Sequence, residues 1–264
     1  MIRRIAGRSI RLFRYFGWKY YCPLCERRTR KFPPILPASG QEVVDTYHII
    51  SMGANPHYRC PWCHSSDKER LVWLFLNRKT SYLSTGETVS VLHIAPEKNT
   101  RKKFLSRKNI QYTFGDKFEG DWRYTPERYG GAMYLDVTNM SDFPENSFDL
   151  ILCSHVLEHV PDDRKGMREI YRVLKKGGMA ILQVPVSRDI KISIEDPSVN
   201  TSEGRDAAFG QKDHVRIYAE EDYMERLKKA GFIVRAVRAD EILSAEDLNV
   251  GINEVERIYC AEKH

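Results

Sequence analysis

From Thr88 onward, short apolar runs of strand length alternate with stretches of helical periodicity. This alternation constrains the chain more than any other feature. A strand, a crossover helix and a second strand make a βαβ unit, and repeated units build a mostly parallel sheet. Strands are expected at Val89–Ala95, Gln111–Gly115, Ala132–Leu135, Phe148–Ser154, Met179–Val184, Phe232–Arg238 and Glu256–Cys260. Lys98–Arg107, Asp163–Leu174 and Ala219–Ala230 are the expected intervening helices. The predicted class is α/β, with one sheet of seven strands.

At 264 residues the chain can bury such a core and still carry a small appended module. No apolar run approaches the ~20 residues that span a bilayer. Arginines interrupt the N-terminal stretch where a secretory signal requires an apolar core, so a cytoplasmic protein is expected. Charge is unevenly placed: residues 1–80 hold 15 Lys and Arg against 5 Asp and Glu, and the remainder holds 27 against 31. Such a basic front end either meets an anionic partner (nucleic acid, membrane surface or charged glycan) or keeps the surface solvated. Within residues 1–20, Ile2, Ile5, Leu12, Phe13 and Phe16 fall at near-helical spacing, with arginines elsewhere on the turn. This basic amphipathic helix, weakened by Gly7 and Gly17, either docks at the inner face of an anionic membrane or lies on its own domain.

Four of the six cysteines, Cys22, Cys25, Cys60 and Cys63, form two Cys-x2-Cys knuckles with Pro23 and Pro61 inside them. Without a secretory signal these read as metal ligands. Four thiolates close a tetrahedral shell with no open position, so a structural zinc is expected. His64 stands next to the last knuckle as a spare ligand, and Cys153 and Cys260 sit in apolar runs as small buried residues. The knuckles and an amphipathic connecting helix over Lys68–Asn77 make a zinc-ribbon-like module at 21–80, leaving 81–264 for the sheet domain.

Ligands of open α/β sheets bind at the carboxyl ends of the strands. Read in order, those ends are Ala95-Pro96-Glu97, Gly115-Asp116, Asp136-Val137 and Ser154-His155. Two successive acidic ends suit a nucleoside, with Asp116 accepting from ribose hydroxyls and Asp136 from an adenine amino group. A single such aspartate would equally be a helix cap.

The segment Leu135–Pro185 resembles the central part of class I, Rossmann-like S-adenosylmethionine-dependent methyltransferases. The residues that carry the resemblance are Asp136, the approach Phe143-Pro144-Glu145-Asn146-Ser147-Phe148-Asp149, then Val156-Leu157-Glu158-His159-Val160, and Arg172-Val173-Leu174-Lys175-Lys176-Gly177-Gly178. Gly177-Gly178 is expected to stop a helix and turn the chain into a strand. The resemblance covers about Thr88 to the C-terminus and implies helices on both faces of the sheet and S-adenosylmethionine as cofactor. With the knuckles and the His93-Ile94-Ala95-Pro96-Glu97 loop, it extends to bacterial proteins often associated with surface-polysaccharide synthesis.

The first loop of that family is glycine-rich, whereas Val91–Asn99 has no glycine. Ala95 is small enough for close backbone approach. Glu97 either binds the cofactor's α-ammonium group or is a first-turn helix carboxylate. Methyl transfer to an oxygen acceptor also requires a base. His155, and His214 with Asp213 in an insertion at about 186–218, are the candidates, with His159 set aside as structural. Thr201, Glu203 and Arg205 are candidates for holding a polar acceptor.

Three readings follow: O-methylation of a small molecule or glycan, methylation of RNA held by the basic module, or a non-catalytic zinc-ribbon protein on a degenerate fold. Against the second, the fourth strand is followed by Ser154-His155-Val156-Leu157 and not by the Asn/Asp-Pro-Pro-aromatic tetrapeptide of base-nitrogen enzymes.

Overall fold

The computed structural model describes residues 14–37, 39–117, 130–244 and 249–264. The greater part of the expected N-terminal helix, residues 1–13, lies outside these. A short antiparallel hairpin, β1 (Tyr20–Cys22) and β2 (Arg27–Thr29), brackets the first knuckle. Among the described residues the main sheet has seven strands: β3 (Val89–Ile94), β4 (Ile110–Asp116), β5 (Met133–Tyr134), β6 (Phe148–Ser154), β7 (Leu174–Gln183), β11 (Ile233–Arg238) and β12 (Arg257–Glu262). Their spatial order is β11-β12-β7-β6-β3-β4-β5. All neighbours are parallel except β12, which runs antiparallel between β7 and β11. The chain moves outward from β3 to β5 and then returns to β6, so a switch point lies between β3 and β6.

The strands read as apolar runs because both faces of the sheet are covered. Val91, Leu150, Leu152 and Cys260 enter one buried cluster, and Leu92, Ile94, Ile151 and Cys153 enter the other, as the two-residue side-chain period requires. The second face is covered by α4 (Asp163–Val173) and α6 (Glu220–Lys229). The first is covered by α2 (Asp67–Lys79) together with Tyr20, Cys22, Leu24, Phe32 and Cys60 of the N-terminal region. The knuckles and the sheet therefore share one core. The connecting helix was expected to be amphipathic, yet its residues from Glu69 to Leu76 are all buried, because it is covered on several sides.

Arg70 is the polar centre of that junction. It is fully buried, and its guanidinium donates to five backbone carbonyls, those of His57, Tyr58, Ser65, Val250 and Gly251.

Gly177-Gly178 differs from expectation. The helix ends earlier, at Val173, and both glycines lie inside β7. They form a bulge where the β6–β7 register shifts, with Gly177 at φ +75°.

The insertion after β7 folds as β8 (Val186–Ser187), β9 (Ile194–Glu195), α5 (Ser202–Phe209) and β10 (Arg216–Ala219), a small sheet of order β8-β10-β9. The loop between the knuckles carries α1 (Gln41–Thr46) and packs on this insertion. Val44 and Ile49 share a buried cluster with Phe209 and Ile217, and Ile50 bridges to Val186. The contact is close: a Cβ at Gly40 would lie 2.0 Å from the Gly210 carbonyl oxygen.

Candidate active site

A cleft of about 870 Å³ opens at the carboxyl ends of β3, β4, β5 and β6, over the switch point. Ala95, Asp116, Asp136, Val137, His155 and Asp213 line it. Pro96, Glu97, Ser154 and His214 are not among its lining residues.

Ala95 and His155, each directly after its strand, adopt left-handed backbone angles of φ +50° and +56°. The glycine-free loop thus makes the turn that a glycine would make, at a steric cost of about 1–2 kcal/mol per residue. Both turns are pinned by backbone bonds: Ala95 N donates to Gly115 O (2.8 Å) and His155 N to Gln183 O (2.8 Å). Strain held by surrounding structure marks functional sites.

The loop is buttressed from the knuckle side. Glu69 of α2 accepts from the backbone N–H groups of Asn99 and Thr100 (2.9 and 2.8 Å), from the Thr100 hydroxyl and from the Asn99 amide. It thereby caps the N-terminus of α3 (Lys98–Leu105), the helix that Ala95-Pro96-Glu97 leads into. Burial pushes the Glu69 carboxyl up from its ordinary range, against the pull of these bonds. Glu97 makes no side-chain cap. Its Oε2 lies 2.7 Å from His93 Nε2, and His93 Nδ1 lies 2.8 Å from the Tyr112 hydroxyl. Burial raises the Glu97 carboxyl, but His93 overcomes this and holds it below the usual range.

At the ends of β4 and β5, Asp136 accepts from the Thr138 N–H and hydroxyl (2.8 and 2.7 Å) and pairs with Lys117 Nζ at 3.2 Å. Burial raises this carboxyl, and Thr138 and Lys117 bring it below its ordinary value. Asp116 Oδ1 accepts from the Lys117 N–H.

Across the cleft, sequence reasoning missed the organising residue. Glu158 is buried, on a short 3₁₀ turn (Leu157–His159) just beyond β6. Its Oε1 lies 3.2 Å from His155 Nδ1 and 3.9 Å from His159 Nε2. Burial opposes its ionisation, yet the surrounding histidines hold its pKa down at about 2. An ionised Glu158 makes His155 Nδ1 the donor, which leaves Nε2 with a lone pair. That nitrogen is buried without a partner among the described residues. His159, set aside from sequence, lines the cleft and stacks edge-on to His214 at 4.7 Å between ring centroids. Burial pushes His214 down to about 4. It is therefore neutral at neutral pH and a weak base for a hydroxyl.

Of the acceptor candidates, Arg205 lines the cleft. Thr201 instead caps α5 by accepting from the Gly204 N–H, and Glu203 faces a smaller cleft against α1. The second knuckle repeats the first. Glu26 and His64, each following a knuckle's last cysteine, are both left-handed, and their N–H groups donate to Cys22 O and Cys60 O. The four sulfurs converge, with Cys22–Cys63 and Cys25–Cys60 each 3.7 Å apart. A tetrahedral zinc with bonds of about 2.3 Å needs sulfurs about 3.8 Å apart, so the tetrad fits that ion.

Residues 121–182 match a family model described as a methyltransferase domain. The sheet order and the cleft are those of a class I methyltransferase fold. Among curated relatives, a 2-methyl-6-phytyl-1,4-hydroquinone methyltransferase of Oryza sativa subsp. japonica is 33% identical over 90 residues, 34% of this chain and 23% of its own. A ubiquinone/menaquinone biosynthesis C-methyltransferase of Stenotrophomonas maltophilia is 55% identical over 38 residues, 14% of this chain and 15% of its own. The chain spans less than a quarter of the length of these relatives. Among solved structures, the [4+2]-cyclase SpnF aligns with TM-score 0.48 and 17% identity, covering 88% of this chain and 98% of its own. A methyltransferase of Archaeoglobus fulgidus aligns at 0.46 and 16%, covering 75% and 93%.

Proposed function

We propose that this protein transfers a methyl group from S-adenosylmethionine to a hydroxyl of a small-molecule or glycan acceptor. The observation that carries the reading is the left-handed turn at Ala95, which opens the backbone towards a cleft whose next two strand ends are acidic. The cleft volume, about 870 Å³, suits a nucleoside and an acceptor together, by comparison with the 300–1,000 Å³ typical of ligand sites.

Asp116 accepts from the ribose hydroxyls, and Val137 offers an apolar wall to the adenine. Asp136 faces the adenine amino group, although Thr138 and Lys117 already engage both of its oxygens. S-adenosylmethionine, when bound, supplies a sulfonium methyl whose C–S bond breaks as the new bond to the acceptor oxygen forms, the electron pair staying on sulfur. His155 Nε2 takes the acceptor's proton, and Glu158 fixes the tautomer and stabilises the imidazolium. Asp213 and His214 stand behind His159 on the acceptor side as positioning residues. The cysteine tetrad holds a structural zinc, and the exposed Phe16 and Trp18, with Arg28 over the Trp18 ring, give the basic front end a surface for an anionic membrane.

The names of the relatives favour a second reading, C-methylation of a hydroquinone, in which the same base ionises a ring hydroxyl. The test is mass spectrometry of glycan, quinol and RNA pools after incubation with isotopically labelled methyl donor, beside calorimetry with S-adenosylhomocysteine. Binding that weakens at least tenfold in Asp116→Asn, with label in the glycan or small-hydroxyl pool, supports the reading. Label in the quinol pool replaces it with the second, and absent cofactor binding refutes both.

A further inference from the structure

We propose that Glu158, His159 and His214 form a binding site for one divalent transition-metal cation at the acceptor side of the cleft. One carboxylate oxygen and one nitrogen from each imidazole lie within 4.8 Å of one another. Two imidazoles and a carboxylate are a donor set suited to zinc, manganese, iron or cobalt.

Two further observations point to a cation. Glu158 is 1% exposed, and its Oε2 has no hydrogen-bond partner among the described residues. A buried carboxylate in that condition is costly unless a positive charge stands beside it. The second observation is the orientation of His159. Its Nδ1 lies 3.2 Å from the Asp213 carbonyl oxygen and 3.4 Å from Asp213 Oδ2. Donation from Nδ1 to Asp213 fixes the tautomer in which Nε2 carries the lone pair, and Nε2 lies 3.9 Å from Glu158 Oε1, the oxygen that also faces His155. A histidine held from behind by a carboxylate or carbonyl is the outer-shell arrangement of metal sites.

The segments that bring the ligands together are firmly tied. Val215 N donates to Glu158 O, and Arg216 donates to the carbonyls of Leu157, Val160 and Pro161. The insertion is thereby stitched to the turn that carries Glu158 and His159. Three protein ligands leave at least one coordination position open. His159 and Asp213 line the cleft, so the open side lies towards the acceptor. The chemical class that fits is an acceptor bearing a hydroxyl or carboxylate oxygen able to join the cation. This role rests on the methyl-transfer reading, whereas the site itself does not. Glu158 is shared, orienting His155 through one oxygen, so cation binding and the base form one unit.

The experiment titrates Co(II) into full-length protein whose cysteine tetrad has been filled with zinc. One further equivalent is expected, with weak visible bands and none of the intense thiolate-to-cobalt absorption of a cysteine site. Glu158→Gln and His214→Ala should each weaken Co(II) at least tenfold while retaining the zinc. His159→Gln, at the most exposed ligand, serves where the buried variants fold poorly. No Co(II) bound by the zinc-filled parent protein, or an equivalent that persists unchanged in both Glu158→Gln and His159→Gln, overturns the proposal. Calorimetry with S-adenosylhomocysteine on the same samples keeps the two readings apart. Cobalt binding without cofactor binding sinks methyl transfer alone, and the reverse sinks the cation site alone.

Discussion

Replacing Ala95 by glycine should stabilise the protein without weakening its hold on the cofactor. At φ +50° the Ala95 Cβ crowds the following carbonyl, a cost of about 1–2 kcal/mol that glycine does not bear. Glycine in turn loses more backbone freedom on folding, which offsets about 0.4–1 kcal/mol of the gain. The net expectation is stabilisation of about 0.5–1 kcal/mol, equivalent to a rise in Tm of roughly 1–4 °C for a chain of this size. The Ala95 N–H keeps its bond to Gly115 O, so the turn is already formed before ligand arrives and the Kd for S-adenosylhomocysteine should stay within threefold. Ala95→Val acts in the opposite direction. A β-branched residue is a marked outlier at positive φ, and its methyl groups project into the cleft, so stability should fall by at least about 1–2 kcal/mol and affinity at least tenfold. Differential scanning calorimetry and titration calorimetry on the three proteins decide the matter. An Ala95→Gly variant destabilised by 1 kcal/mol or more, or a neutral Ala95→Val, would refute the assignment of strain to this turn.

Three other perturbations probe how the front end and the insertion support the site. Glu69→Ala strips two backbone N–H groups of their partner at the start of α3, so urea unfolding should show a loss of about 2–4 kcal/mol and cofactor affinity should drop with it; loss of stability with unaltered affinity would separate the cap from the loop. Glu195 is bonded to Arg216 and Arg226. Burial raises its carboxyl, but the two guanidiniums bring it below the ordinary value. Its contribution is therefore present above the unfolded pKa of about 4.3 and is lost as pH falls through the lower folded value. Glu195→Gln should accordingly be less stable at neutral pH and show a shallower acid limb than the parent; parallel acid limbs would count against this. Chelation of the tetrad metal should lower the stability of the whole chain, because Cys22 and Cys60 lie in the same core as Val91, Leu150 and Ile181; a melting curve unmoved by chelator, at confirmed metal loss, would contradict it.

What the sequence revealed and what it concealed divide along a physical line. Strands β3, β6, β7 and β12 were legible because a sheet covered on both faces demands apolar runs, and Asp116 and Asp136 because strand ends converge wherever such a sheet changes direction. The tetrad was legible from spacing alone, since a Cys-x2-Cys turn delivers two thiolates to one point. Glu69 and Glu158 were concealed for the opposite reason. An acidic residue within a helix or beside one reads as a solvated charge, and only packing shows that the first caps another helix and the second stands among three histidines. The glycine-free loop misled in its own way: composition argued against the tight turn, whereas neighbouring bonds impose it on alanine. The Gly177-Gly178 pair looked like a helix stop and is a bulge, because φ > 0 is required in either place and the sequence does not distinguish them.

The least legible feature bears most on function. Gly40, Val44 and Ile50 meet Gly210, Phe209 and Val186 across more than 130 residues of chain, and His48 and Ser51 pair with Asp189 and Glu256. No local pattern announces contacts of such separation. Together with the Glu69 cap they tie the cysteine-bearing front end to both sides of the cleft, to the Ala95 loop through α2 and to the insertion after β7 through α1. A module joined only to the Ala95 loop would leave the opposite side of the cleft indifferent to whether the cysteine tetrad is loaded. Joined to both, it spans the turn at Ala95 and the histidines around Glu158, so under the proposed methyl transfer a change in the front end should disturb the in-line alignment of donor and acceptor.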